Sequence, residues 1–504
     1  MTGLRILIVE DDDRWTDVFE KSLVSLVPET YRALDHDTAH SLLQQARFDL
    51  IILDLGLPGV EPSVSEIGRG FELLKELRSG GLNDTAAILV VSGQIANAQV
   101  SEAMQRYKVH HFFDKLEFDD KMFLSKASDA LLLARIKRAF RKHERRSRLR
   151  IVFDQSSVLG SELTGPKQRA YYPAKSPAKL SVSDFVRRAN NINRLVIDGP
   201  ATWRPEARAL GQELYKILTL DHHIVTGLDT RPNSDLWLQF SGPAEGLGVP
   251  FELLHDGEEY LALKHVITRE IEPFRASIKS VSFHRFLRSF LGGQVPLRIL
   301  IVGVDESGAY TIQQEVRVLE ELIDQQVRRL GIRPQIQCLS GQSATHAQLT
   351  EALRHGGYHI FHYSGHGYHE RNQPENSGLK IAAKDSSPQF LTASDLISIC
   401  RETELRLVYL NCCLGACSSP KITEGDFFGL FDALARADVP TVLGYRWEVG
   451  DTSAFELAKH FYQLLWKTLS PADALFEARG EMSRSFGRRN DDTWASPVLM
   501  TQNN

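Results

Sequence analysis

Residues 405–418, LRLVYLNCCLGACS, and residues 358–369, YHIFHYSGHGYH, are two short apolar runs that break off abruptly into Asn, Cys, Ser, Gly and His. A run of this length bounded by such residues reads as a strand buried on both faces that ends in a polar loop. Working outward, the same pattern repeats from Pro296: LRILIVGV at 297–304, a helical stretch around Gln314 to Leu330, IQCL at 336–339 and PTVLGY at 440–445. Strands alternating with amphipathic helices build a parallel sheet covered by helices, and chemistry collects at the carboxyl ends of its strands. The alternation also fills residues 1–125, with Ile6 to Val9, Ile51 to Leu53, Ile88 to Val91 and Val109 to Phe113 as strands. The expected class is α/β, with an N-terminal doubly wound parallel sheet over 1–125 and a second α/β domain over 296–504.

Two stretches lie between these domains. Residues 126–150 begin as an apolar-periodic helix, ALLLARIKRAF, and turn strongly basic in RKHERRSRLR; they read as a basic helical linker with a solvated face. Residues 151–295 are turn-rich, with strand-like pieces at Leu195 to Ile197 and Leu236 to Phe240 and a helix at Glu206 to Leu218, an α+β segment leading into the domain that follows.

At 504 residues the chain has room for two to four domains. Lys and Arg number 59 against 64 Asp and Glu, a net charge of −5 that gives no bulk attraction to nucleic acid or membrane. No apolar run approaches the ~18 residues of a membrane span. The start, MTGLRILIVEDDD, puts acid directly after a strand, the wrong order for a secretory signal, so a cytoplasmic protein is expected. Five cysteines, three of them in NCCLGAC, make no disulfide framework and read as reduced thiols.

In the N-terminal sheet Glu10 and Asp11 follow the first strand, Asp54 closes IILD, Ser92 closes ILVVS and Lys115 follows HHFFD. Any one of these acids alone reads as a helix cap. Together at one sheet edge, three carboxylates offer Mg²⁺ its oxygen ligands, and a hydroxyl and an ammonium face phosphoryl oxygens arriving on Asp54. These residues resemble a response-regulator receiver domain over about residues 3–125. The resemblance implies Glu10 and Asp11 as the acidic pair holding Mg²⁺ with Asp54, Asp54 in DLGLPG as phosphoacceptor, Ser92 and Phe112 as switch residues with Lys115, and a histidine kinase or phosphorelay protein as partner. Val60 to Arg69 looks like an insertion, and Leu116 stands where the family usually has proline.

In the C-terminal domain His366 and Cys413 each lie just past a strand, 47 residues apart. A thiol nucleophile needs a neighbouring base, and glycine beside the base frees a backbone N–H for a carbonyl oxygen. Zinc ligation by Cys412, Cys413 and Cys417 with His359, His362, His366 and His369 fits the usual spacings poorly. Core burial accounts for Cys338, Cys400 and Cys412. GVDESG at 303–308 lacks the ending of a phosphate-binding loop. From about Leu236 to Leu499 the chain resembles a CHAT-type caspase-like peptidase, of the clan that includes caspases and separase. GLGVPFELLHDGEEYLALKHVITREI, HYSGHG, LVYLNCCLGA, LARADVPTVLGYRWEVGDTSAFELAKHFYQLL and SPADALFEAR carry the likeness.

That resemblance implies Cys413 as nucleophile, His366 as base, and the backbone N–H groups of Gly367 and Cys413 as oxyanion hole, with no cofactor there. Asn411-Cys412 ahead of the nucleophile and Leu414-Gly415 behind it depart from the family pattern. Glu448 and Asp451 in GYRWEVGD, with Asp305 at the end of the first core strand, suggest an acidic pocket for a basic side chain; alternatively Asp451, or Ser453 with Glu456, caps a helix starting near Thr452. The expected function is a cysteine endopeptidase controlled by phosphorylation at Asp54 and acting on a protein substrate, with a regulatory partner or homodimer admitted. A silent caspase-like scaffold, or a nucleic-acid binder using Arg135 to Arg150, are the alternatives.

Overall fold

The computed structural model describes residues 4–57, 67–93, 104–154, 156–165, 168–173, 180–197, 200–219, 236–242, 248–271, 282–292, 294–304, 310–368, 376–383, 389–413, 430, 433–434, 437–447, 449–486 and 493–502. The chain divides into two compact units. One comprises Met1–Arg141, His284–Pro296 and Gln325–Pro334, the other Lys142–Phe283, Leu297–Asp324 and Gln335–Asn504.

The first unit holds strands β1 (Arg5–Val9), β2 (Glu29–Ala33), β3 (Leu50–Leu53), β4 (Ala87–Ser92) and β5 (His111–Asp114), all parallel, in the order β2-β1-β3-β4-β5. The two-residue period of a strand splits their apolar residues between two cores. Leu7, Val9, Ile51, Leu53, Ile88 and Val90 face one side, with Leu73 and Leu77 of the helix Ile67–Leu77. Ile6, Ile8, Ile52, Leu89 and Val91 face the other, with Phe19 and Leu23 of α1 (Asp13–Leu23) and Phe123, Ala127 and Leu131 of the helix Asp120–Arg145. Burying each such side chain is worth about 1.5–3 kcal/mol, so both faces hold the strand ends in place.

The second unit is built on one thirteen-stranded sheet. Its strands in chain order are β6 (Ser147–Phe153), β7 (Val158–Gly165), β8 (Gln168–Pro173), β9 (Leu236–Ser241), β10 (Val266–Ile271), β11 (Leu297–Gly303), β12 (Pro334–Ser340), β13 (Ile360–Tyr368), β14 (Gly378–Ile381), β15 (Gln389–Thr392), β16 (Leu407–Cys413), β17 (Thr441–Tyr445) and β18 (Pro497–Gln502). The path runs β12-β11-β13-β16-β17-β18-β10-β9-β6-β7-β8, and β14 and β15 branch from β13. The strands β11, β13, β16 and β17 pair in parallel; β18 is antiparallel to β17.

Two readings are corrected here. The basic stretch is helical only to Arg145; residues 147–150 open β6 instead of continuing a helical linker. Leu195 to Ile197 are not a strand but the end of the helix Val182–Ile197, whose buried Val182, Phe185, Ala189 and Ile192 follow the helical period. The strands of the turn-rich segment belong to the same sheet as the C-terminal core: β6 pairs with β9, β9 with β10 and β10 with β18.

Candidate functional site

The first site grows out of strand order. From β1 the chain crosses to β2 on one side and later returns to β3 on the other, so a crevice opens beyond the carboxyl ends of β1 and β3. Glu10 and Asp11 follow β1 and Asp54 follows β3. Asp12, the third acid of the run, is instead the N-cap of α1, accepting from the Arg14 N–H at 2.9 Å. Lys115, just past β5, places Nζ 2.6 Å from Asp54 Oδ2 and 2.8 Å from the Glu10 carboxylate. The Gly56 N–H donates to Asp54 Oδ1 at 2.8 Å.

Glu10 and Asp54 are buried and Asp11 is exposed, and one oxygen of each lies within 4.8 Å of the others. Burial, reinforced by the Asp54 charge, pushes the Glu10 carboxyl up to about 7 against the pull of Lys115. Burial opposes the Lys115 charge, yet its hydrogen bonds to Asp54 and Glu10 outweigh that and raise its pKa. An oxygen-only donor set with excess negative charge, in which burial raises the Glu10 carboxyl to about 7, fits a hard dication such as Mg²⁺. Ser92 is buried at the end of β4, in register with Asp114. Phe112 pairs with Val90 and packs half-buried against the core.

The second site lies at the ends of β13 and β16. These parallel strands run in register from Ile360 opposite Leu407 to His366 opposite Cys413. The two-residue period places positions 362, 364, 366, 409, 411 and 413 on one face. Contacts on that face bear it out, for His362 stacks edge-on against Tyr409 at 4.9 Å and Asn411 reaches Ser364. Position 412 falls on the opposite face; Cys412 is buried there, and after burial itself it is the next cause raising the Tyr363 hydroxyl pKa. Beyond His366 the strand changes partner, Gly367 pairing with Leu379 and Tyr368 with Gly378 of β14.

Gly365 makes that departure feasible. A Cβ there would stand 2.6 Å from the Tyr363 hydroxyl and 3.0 Å from the Val304 carbonyl oxygen. The same hydroxyl lies 2.9 Å from the His366 carbonyl and 2.7 Å from that of Lys380, pinning the backbone under the histidine. His366 itself is half-buried.

The other described thiols suit core roles. Cys400 is fully buried. Cys338 is half-buried on β12, where burial and then the Glu320 charge push its thiol up to about 12. Among the described residues the carboxylate cluster at Glu10, Asp11 and Asp54 is the group arranged to hold a metal; the described histidines and cysteines of β13 and β16 form none. Asp305 and Glu448 lie outside the described residues, as does the Cys413 side chain. Asp451 is exposed and opens the helix Asp451–Thr468, whose N-cap is Gly450 with no side-chain cap; the expected capping box is absent because Ser453 is already the third helical residue and buried.

The basic stretch is largely engaged. Arg138 meets Asp49 at 3.0 Å and Arg141 meets Asp84 at 2.7 Å, while Lys142 and Arg146 reach Asp473 at 2.9 and 2.8 Å. Among the described residues, no helix is long and apolar enough to cross a membrane. Sequence reading passed over Ser364 and met Asn411 only as a departure from a family pattern; the polar-in-apolar alternation of HIFHYSGH and LVYLN was the available signal.

Comparison with known proteins finds two families along the chain. The response regulator receiver domain family matches residues 6–125, and the CHAT domain family matches residues 206–502. Regulatory protein VanRB of Enterococcus faecalis is 33% identical over 90 residues, which are 18% of this chain and 36% of that protein, so the match spans about a third of its length. Among solved structures, a CheY-like receiver domain protein from Methanospirillum hungatei is 21% identical, covering 27% of this chain and 98% of that one with a TM-score of 0.23. A putative response regulator from Chloroflexus aurantiacus is 22% identical, covering 26% and 98% with a TM-score of 0.22. With its second site inside the longer match and its first inside the shorter, the chain belongs to the CHAT domain family and carries a response regulator receiver domain ahead of that domain.

Proposed function

We propose that the chain is a cysteine endopeptidase whose activity is governed by phosphorylation of its receiver domain. The observation that carries the reading is the backbone register of His366 opposite Cys413 near the carboxyl ends of adjacent parallel strands, which sets positions 366 and 413 side by side at one sheet edge. His366 takes the proton of Cys413, the thiolate attacks the scissile carbonyl, and the backbone N–H groups of Gly367 and Cys413 hold the oxyanion. The imidazolium then protonates the leaving amine, and water releases the acyl group.

On the receiver side Asp54 accepts the phosphoryl group from a histidine kinase or phosphorelay protein. Glu10, Asp11 and Asp54 hold Mg²⁺, which supplies charge neutralisation at the phosphoryl oxygens. Lys115, now on Asp54 and Glu10, shifts its hydrogen bonds to the new oxygens, and Ser92 and Phe112 respond to them. A phosphoryl group biases the peptidase only through contacts that differ between two states. From their places in the sequence, Asp305, Glu448 and Asp451 are the carboxylates this reading assigns to selecting Arg or Lys before the cut bond. The domain limits that go with this reading are the receiver at 1–125 and the peptidase core at 296–504.

The test is cleavage of a peptide and protein library by wild type and Cys413→Ala, each with and without beryllofluoride as phosphoryl mimic. The reading expects cuts after basic residues, abolished in Cys413→Ala and changed in rate by beryllofluoride in the wild type. Cleavage that survives Cys413→Ala removes the peptidase reading; cleavage indifferent to beryllofluoride removes the control.

A further inference from the structure

Beneath the strand ends that carry His366 and Cys413 a row of polar side chains crosses the same face. The Tyr462 hydroxyl lies 3.1 Å from His362 Nδ1, and His362 Nε2 lies 2.9 Å from Ser364 Oγ. Asn411 Nδ2 donates to Ser364 Oγ at 3.3 Å. All four residues are buried, His362 completely. A buried polar row stabilises a fold only when its members are satisfied, so its open ends need a reason.

Asn411 Nδ2 donates to Ser364 Oγ, and the tautomer of His362 decides which way the hydrogens run between Ser364, His362 and Tyr462. The end left over is Asn411 Oδ1, enclosed and without a hydrogen-bond partner among the described residues. His366 Nδ1 is in the same condition. Asn411 stands opposite Ser364, and His366 is two residues beyond Ser364, so the two orphans belong to diagonal neighbours on one face. Such neighbours have Cα atoms roughly 7–8 Å apart, a gap an imidazole and a carboxamide together span.

We propose that Asn411 is a positioning residue for the dyad, its Oδ1 accepting the Nδ1–H of His366 and so completing a Cys413–His366–Asn411 triad. The proposal rests on the peptidase reading above. When the thiol S–H bond breaks and a new N–H bond forms on His366 Nε2, the ring becomes cationic, and the anchored amide oxygen stabilises that charge while holding the ring toward position 413. The other titratable groups of this face stay silent near neutrality: burial takes His362 down to about 3 and pushes the Tyr409 and Tyr462 hydroxyls up.

The test is the pH dependence, from 4 to 9, of Cys413 alkylation by iodoacetamide in the full chain, with the modified cysteine located by peptide mass spectrometry. Wild type, Asn411→Ala, Asn411→Asp and His366→Ala are compared, with melting temperatures as the check on folding. Loss of a hydrogen bond to a charged ring moves the apparent thiol pKa of Asn411→Ala up by about one to two units. Asn411→Asp, which keeps an acceptor, holds it at or below the wild-type value. A folded Asn411→Ala whose profile overlays wild type overturns the proposal; if Asn411→Ala does not fold, a thiol pKa in Asn411→Asp above that of wild type overturns it. A wild-type profile identical to that of His366→Ala overturns the dyad itself, a distinct failure.

Discussion

Replacing His362 with glutamine destabilises the protein at pH 7, and the penalty shrinks as the pH falls. His362 is completely buried between Tyr409 and Tyr462, and both its ring nitrogens meet neutral hydroxyls, so nothing nearby rewards protonation. Burial takes its pKa down to about 3, whereas in the unfolded chain it is about 6.5. The folded state therefore stays neutral while the unfolded state gains a proton as the pH drops below 6.5. The stability that wild type draws from this site is complete above that value and is lost progressively toward pH 3. At about 1.4 kcal/mol per pH unit the loss reaches roughly 2 kcal/mol at pH 5. A glutamine does not titrate, so the difference between wild type and His362→Gln should be about 2 kcal/mol smaller at pH 5 than at pH 7. Urea denaturation of both chains at the two pH values measures it; contributions from His110 and His359, whose pKa values burial also lowers to about 4, are common to both and cancel. An identical difference at both pH values would refute the picture of a buried neutral histidine.

Three further outcomes are expected. Asp54→Asn abolishes acid-labile labelling by acetyl phosphate, and labelling of the wild type requires Mg²⁺; radiolabel retained in the variant assigns the phosphoacceptor elsewhere. Because Glu10 carries its proton up to about pH 7 and must lose it to bind a cation, Mg²⁺ affinity, read by isothermal titration, rises between pH 6 and 8 and releases protons; a flat profile contradicts the assignment. Gly365→Ala drives a methyl group into the Tyr363 hydroxyl, breaking the one hydrogen bond it shares between the His366 and Lys380 carbonyls, so it costs at least about 1 kcal/mol of stability and slows cleavage; a thermal melt and activity like wild type speak against it.

The central strands were legible because burial on both faces makes them continuous apolar runs, and Glu10, Asp54, Ser92, Lys115 and His366 stand at or just past such runs. Edge and boundary elements were not. β2, ETYRA, has little apolar signal because it is an edge strand with only Ala33 buried, and its pairing with β1 is what defines it. β6 alternates cleanly, but its half-buried face carries Arg148 and Arg150, so the charge read as linker; the structure stacks Arg148 on Trp237 and joins Arg150 to Glu270 and Ser241. The short run Leu195 to Ile197 is ambiguous between strand and helix by itself, and only the buried positions upstream decide it. Glu252, fully buried against Arg269 and Arg446, is a structural ion cluster formed by residues far apart in sequence. At the candidate dyad the register, and the polar row below it, come from strand pairing that no single run of residues encodes.

The most direct test of the central claim separates two cysteines at adjacent, alternating strand positions, 412 and 413. Cleavage by Cys412→Ser and Cys413→Ser is compared with wild type on one library. The account predicts that Cys413→Ser is inactive while Cys412→Ser keeps most of its activity. Activity retained in Cys413→Ser and lost in Cys412→Ser would contradict it.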